Sequence, residues 1–253
     1  MKTLTIAASN RDRFELNSQS TKLFLRSLES QTCKDFEVII ADGGSKNVNQ
    51  IKEYFNSKSG ISMRVHDAKI GEKFERAKLN NVGIRNATTP YIMTTDVDMC
   101  FGPQFVEVLI SKLNENVFVE SRTMYWKQPI ANSIYNGNLD PIKDVESCRL
   151  GRVKKRTTAG GCQAAHIDTW NKVNGFDENY VGWGSEDYDL LTRMKLSRAK
   201  IVWIGEERNS IMLFHQPHSK NVAQDLKEQA ENKRLLNKIN GYKVNPNGWG
   251  DKE

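Results

Sequence analysis

The chain has 253 residues, enough for one large α/β domain or two small ones, and 38% hydrophobic with 27% charged residues is the make-up of a soluble globular protein. No apolar run approaches the ~18 residues of a membrane span, and Cys33, Cys100, Cys148 and Cys162 form no CxxC pair, which speaks for a reducing, cytoplasmic setting and against a zinc site or a disulfide framework. The net charge of +6 favours phosphate-bearing partners without choosing among nucleotides, nucleic acids and anionic membranes.

Residues 4–8 read as a first strand, because Ser9-Asn10-Arg11-Asp12-Arg13 cuts the opening apolar stretch too short for a signal peptide. Helical spacing over 22–28 leads to a second buried strand at 37–41, which runs into the turn Asp42-Gly43-Gly44-Ser45. A helix at 48–55, a strand at 62–66, a helix at 74–86 and a strand from Tyr91 follow. Strands alternating with helices predict a mostly parallel sheet with helices on both faces, whose ligands bind beyond the carboxyl ends of the strands. Three such ends carry polar groups: Asn10, Arg11 and Arg13; Asp42; Asp96 and Asp98.

In Thr94-Thr95-Asp96-Val97-Asp98 the carboxylates at i and i+2 of an ideal strand share one side, where they can hold a hard cation that substrate phosphates complete. Taken alone, Asp-x-Asp also fits two solvated turn carboxylates. After Gly102-Pro103 a helix is predicted to about Asn114 and a strand at 117–119. Residues 126–160 are less regular, and the run 149–156 holds five bases and no acid; it reads as a solvated loop, or as a flap over a phosphate or a nucleic-acid backbone. Gly160-Gly161 introduces an expected helix at 167–173.

Next comes Gly182-Trp183-Gly184-Ser185-Glu186-Asp187. Ser185 is expected to cap a helix whose first turn holds Glu186 and Asp187, where the helix dipole favours negative charge; a base placed there would also face a cleft. Residues 200–204 and 210–214 read as strands that can pair as a hairpin, followed by a polar helix at 222–239 and a frayed tail from Asn245. His66 and His166 read as packing or capping residues.

Assembled, these residues resemble the nucleotide-sugar-dependent glycosyltransferases of the GT-A type. Thr5 to Ser45 looks like the nucleotide-binding half of family 2. The blocks Phe74-Glu75-Arg76-Ala77-Lys78-Leu79-Asn80-Asn81-Val82-Gly83, Asp96-Val97-Asp98, Gly160-Gly161, Asn174-Gly175-Phe176 and Gly182 to Asp187 are similar, in this order, to β-1,4-galactosyltransferases and to bacterial chondroitin-type polymerases. The resemblance covers residues 1–218 and implies an α/β, Rossmann-like fold. Residues 1–100 would be its nucleotide-sugar half, 101–220 its acceptor half, and 221–253 a C-terminal helix and tail.

It also implies roles. Asp42 would contact uracil, with Asn10, Arg11 and Arg13 lining the nucleotide; Arg76, Lys78 and Gly161 would lie near the donor; and Asp96 would hold the ribose or the sugar. Asp98, His215 and Met212 would bind Mn²⁺ or Mg²⁺, with His218 a competitor for His215, although methionine is a soft ligand for a hard ion and core packing is its other reading. Trp183 would pack beneath the sugars, Glu186 would hydrogen-bond a hydroxyl, and Asp187 would be the general base. The implied reaction is inverting transfer of a hexose or N-acetylhexosamine from a UDP-sugar to a glycan hydroxyl. A hydroxylated DNA base is the alternative acceptor, and a nucleotidyltransferase or a silent nucleotide-sugar-binding protein is the alternative class. Ser185 stands where the vertebrate enzymes have glycine, Tyr188 where an acid is common, and the disulfides, stem and anchor of the Golgi enzymes are not seen, which points to a cytosolic bacterial or viral type of enzyme.

Overall fold

The structure, a computed structural model, describes residues 2–12, 18–56, 60–68, 70, 74–150, 152–158, 160–182, 184–205, 212–217 and 222–250. Its strands are β1 (Leu4–Asn10), β2 (Phe36–Asp42), β3 (Ser62–Asp67), β4 (Tyr91–Asp96), β5 (Met99–Phe101), β6 (Val117–Ser121), β7 (Thr123–Trp126), β8 (Arg152–Thr158), β9 (Cys162–His166), β10 (Lys200–Ile204) and β11 (Leu213–His215). The helices are α1 (Ser18–Glu29), α2 (Val48–Asn56), α3 (Arg76–Arg85), α4 (Phe105–Lys112), α5 (Gln128–Tyr135), α6 (Val145–Leu150), α7 (Ile167–Val173), α8 (Glu186–Leu196) and α9 (Val222–Leu236).

Seven strands form the main sheet in the order β10-β6-β9-β4-β1-β2-β3, parallel except for β9, which runs antiparallel to both its neighbours. Every residue of β1 and β2 is buried, as expected of strands covered on both faces. Alternate β1 side chains enter different cores: Leu4, Ile6 and Ala8 join Phe24, Val38, Phe101 and Phe105, whereas Ala7 joins Ile84, Trp170, Phe176 and Leu190. Helix α3 lies close on this sheet, since a Cβ at Gly83 would come within 2.7 Å of the Ala7 Cβ.

The chain order reverses at β1, with β2 and β3 on one side and β4 on the other. That is the switch point at which α/β sheets open a crevice beyond their carboxyl ends. Register sets Asn10 opposite Asp42, and Ser9 opposite Asp96, on this rim. A second sheet, β5-β11-β7-β8, begins directly after Asp98 and pairs Met99 with His215.

Four expectations are corrected. Strands β10 and β11 are not a hairpin: β10 pairs with β6 in the main sheet, and β11 lies between β5 and β7 in the other. The basic run is not a loop, because it spans the end of α6 and β8, which hydrogen-bonds to β7. Between Gly161 and α7 the chain forms the interior strand β9. The tail is docked. Asn245 Nδ2 donates to the carbonyls of Asn174 (2.9 Å) and Phe176 (2.7 Å), Gly250 N donates to Glu178 Oε1 (2.9 Å), and Arg85 stacks over Trp249. His166 does cap α7, accepting from Asp168 N, and stacks edge-on against Tyr91. Among the described residues no helix is long and apolar enough to cross a membrane.

Candidate active site

At the β2 end, Asp42 is wholly buried and its carboxylate is engaged by its own turn. Oδ1 accepts from Gly44 N (3.1 Å) and Ser45 N (2.8 Å), and Oδ2 from Asn10 Nδ2 (2.6 Å) and Ser45 Oγ (2.7 Å). Asp42 and Asn10 thus shape the rim by fixing the 42–45 turn. Arg11 is half-buried beside them, and Arg13 lies outside the described residues.

Arg76, the first residue of α3, is the centre of the site. Its Nε lies 2.8 Å from Asp96 Oδ1 and 3.1 Å from Oδ2; Nη1 lies 3.0 Å from Glu186 Oε1 and 2.7 Å from Asp187 Oδ1; Nη2 donates to the Gly160 carbonyl at 2.6 Å. Ser9 Oγ adds a 2.7 Å bond to Asp96 Oδ1. The ends of β1 and β4 and the starts of α3 and α8 are thereby joined through one guanidinium. The side chains of Arg76 and Glu186 are only 7% and 4% exposed, whereas Asp96 and Asp187 keep 22% and 19%, so these two carboxylates are the ones open to a ligand.

The charges in the cluster set its protonation. Burial, and then the Asp187 charge, push the Glu186 carboxyl up to about 7 against the pull of Arg76. Burial also raises Asp187, again opposed by Arg76, and makes it a stronger base than a free carboxylate. Asp96 goes the other way: burial works to raise it, but Arg76 and the Ser9 hydroxyl outweigh burial and hold it below the usual range. Glu186 Oε2 is buried with no hydrogen-bond partner among the described residues.

Asp98 follows Asp96 in the turn between β4 and β5. Its Oδ1 stands 3.8 Å from His215 Nε2, with side-chain exposures of 5% and 15%. This is too long for a hydrogen bond and short enough for a cation with ~2.1 Å bonds to touch both atoms. Gln216 N donates to the Asp98 carbonyl (3.1 Å), which fixes the backbone of this turn, and Tyr125 stacks on the His215 ring at 4.8 Å, which orients the imidazole. Met212 is fully buried in an apolar cluster with Cys100, Met124, Trp126 and Phe214. Lys78 is paired with Glu75 at 2.8 Å, away from the Arg76 cluster. Trp183 and His218 lie outside the described residues.

The glycines around the site are there for space. Gly182 donates to the Phe74 carbonyl and forms a bridge with Glu75, which ties the segment ahead of α8 to the start of α3. At Gly160 (φ +106°) a Cβ would overlap the Asp187 carboxylate, and at Gly161 it would overlap Thr123 Oγ1. Ser185 does precede α8, but at φ +77° its hydroxyl makes no capping bond; this left-handed conformation is the physical reason a glycine suits the position. Sequence reading missed Ser9, Gly160 as the Arg76 acceptor, and Tyr125. Only Ser9, beside the polar end of β1, carried any local signal.

Fold and site define a chain of the GT-A glycosyltransferase class. Residues 11–133 match Glycosyl transferase family 2 and residues 148–216 match the N-terminal domain of galactosyltransferase, so the chain is similar to family 2 in its first part and to the galactosyltransferases in its second. Human β-1,4-galactosyltransferase 4 is 38% identical over 182 residues, 69% of this chain and 43% of the relative. Chondroitin synthase of Escherichia coli is 26% identical over 198 residues, 65% of this chain and 28% of the relative. The chain therefore spans less than half the length of either relative.

Among solved structures, S. aureus TarS 1–349 in complex with UDP-GlcNAc superposes with a TM-score of 0.61 at 15% identity, covering 93% of this chain and 65% of that one. A mutant of Drosophila β-1,4-galactosyltransferase 7 in complex with manganese, UDP-Gal and xylobiose gives 0.59 at 16%, covering 96% and 83%. At these identities the likeness shows the shared fold.

Proposed function

We propose that the chain is a metal-dependent, inverting glycosyltransferase that moves a hexose or N-acetylhexosamine from a UDP-sugar to a glycan hydroxyl. The observation that carries this reading is the Arg76 bridge, which sets Asp187 and Asp96 on either side of one guanidinium. The relatives lend support: one is a galactosyltransferase, one a chondroitin synthase, and two similar folds hold UDP-sugars.

In this reading Asp187 accepts the proton of the attacking hydroxyl, and its raised basicity suits that task. Arg76 keeps it aimed and partly neutralised. Glu186, protonated over part of the neutral range, can donate from Oε2 to a sugar oxygen. Asp96, held ionised, faces the ribose or sugar hydroxyls of the donor. A carboxylate and an imidazole, Asp98 and His215, form a donor set that fits Mn²⁺ or Mg²⁺; a bound cation would supply countercharge for the diphosphate leaving group. A place for Met212 in that set rests on the resemblance alone. With Asp187 as the one base of this scheme and the neighbouring acids in binding roles, a single displacement with inversion is the consistent course.

The test is a panel of nucleotide sugars screened by thermal shift with and without Mn²⁺, in the wild type and in His215→Ala. Metal-dependent stabilisation by a UDP-sugar that His215→Ala weakens is expected. No stabilisation by any nucleotide sugar would remove the reading.

A further inference from the structure

Glu120 has no part in the scheme above, yet it lies behind it. It sits near the end of β6, wholly buried, in register with Gln163 of β9 and Trp203 of β10. Its Oε1 accepts from Gln163 Nε2 at 2.7 Å. Two atoms of this pair remain buried with no partner among the described residues: Glu120 Oε2 and Gln163 Oε1. Both are acceptors when the glutamate is ionised. One proton on Oε2 would satisfy both, closing an acid–amide ring in which each group donates once and accepts once.

The surroundings also disfavour a charge there. The charged and titratable groups facing Glu120 are Asp187 on α8, Arg76 on α3 and Cys162 on β9. From β10 comes Trp203, whose ring is covered by the Arg122 guanidinium at 4.0 Å. Arg76 is already divided among Asp96, Glu186 and Asp187. Burial first, and then the Asp187 charge, drive the Glu120 carboxyl well above its ordinary range, and the bonds from Gln163 and the Gly160 backbone do not offset this. Gly160 is the link forward. Its backbone meets Glu120, its carbonyl takes Arg76 Nη2, and its α-carbon packs against the Asp187 carboxylate.

We propose that Glu120 is kept as a carboxylic acid paired with the Gln163 amide, and that this neutral pair is a positioning element for Asp187, acting through Gly160. It holds the Gly160 peptide where Arg76 and Asp187 need it and keeps a fourth negative charge out of their cluster. The positioning role rests on the glycosyltransferase reading; the acid–amide pair does not.

The experiment has two arms. In the first, the melting temperatures of the wild type and Glu120→Gln are compared between about pH 5 and pH 9. A carboxyl raised in the folded state gives stability that is complete below its unfolded value and is lost as pH rises, so the advantage of Glu120→Gln should widen with pH; a flat difference would overturn the pair. In the second arm, Glu120→Ala is expected to lower kcat at least about ten-fold with little change in KM for the donor. Glu120→Gln should recover most of that loss and be less inhibited at alkaline pH than the wild type. Glutamine as harmful as alanine, or a harmless alanine, would overturn the positioning role. A widening stability difference in a wild type that transfers no sugar would keep the pair and sink the catalytic reading together with the positioning role.

Discussion

Arg76 and Asp187 are 111 residues apart in the chain and 2.7 Å apart in the fold. The bond joins the start of α3 to the start of α8. Because the same side chain also holds Asp96, the two carboxylates cannot shift independently. The site is a single unit of three acidic groups around one guanidinium, and its testable properties follow from that.

Asp187→Asn keeps the size of the side chain and an oxygen for Arg76 but gives up the proton acceptor. Transfer should fall by about 10²–10⁴-fold, the usual range for losing a general base. Affinity for UDP and Mn²⁺ should stay close to wild type, as measured by calorimetry. Undiminished turnover would take Asp187 out of the base role.

Arg76→Ala removes the common partner of three acidic groups, one of them, Glu186, deeply placed. Breaking a buried pair costs about 3–5 kcal/mol, which chemical denaturation would register. Arg76→Lys retains the charge without the planar fork, so it should lose more activity than stability.

Glu186 gives a pH signature. Its carboxyl is raised to about 7 in the folded protein from an ordinary value of 4.5, first by burial and then by Asp187. The sign follows directly: the stability it contributes is complete below 4.5 and disappears as pH climbs through about 7. Glu186→Gln should therefore gain on the wild type in melting temperature between those values, and the gain should level off above them. A constant difference would mean that Glu186 is already ionised at acid pH.

Ser185→Gly should stabilise the protein by about 0.5–1 kcal/mol, because a left-handed backbone strains any residue with a Cβ. Ser185→Ala should be nearly neutral in stability, since the serine hydroxyl makes no capping bond here. A loss of ~1 kcal/mol in the alanine variant, typical of a true cap, would show that the hydroxyl is used.

Much of this was legible in the sequence. The buried runs of β1, β2 and β4 announce themselves as largely apolar stretches ending in polar residues (Asn10, Asp42 and Asp96), and the parallel α/β architecture with its ligand rim followed from them. The block ahead of α8 was legible because glycines beside a tryptophan and two acids are rare as filler. Other parts had no local signature. The Cys162–His166 strand, Cys-Gln-Ala-Ala-His, is almost wholly buried, so it shows neither alternation nor β-branched enrichment. The three-residue strand β5 exists only because it pairs with β11. Arg76 was read as a donor-binding residue because its position resembled one; that it is committed to three carboxylates depends on elements more than a hundred residues away. Glu120 was passed over, although a lone acid inside Val-Phe-Val-Glu-Ser is the kind of anomaly a buried strand exposes.

The C-terminal segment has a practical bearing on anyone shortening this polypeptide. Asn245 and Gly250 fasten the 174–178 bend, and Asn81 on α3 grips the same bend through Phe176 and Glu178. An expression boundary drawn just beyond α9 would discard those fastenings while sparing every residue assigned a chemical task. The trimmed protein should then look intact on paper yet loosen at the two helix starts that carry Arg76 and its partners Glu186 and Asp187.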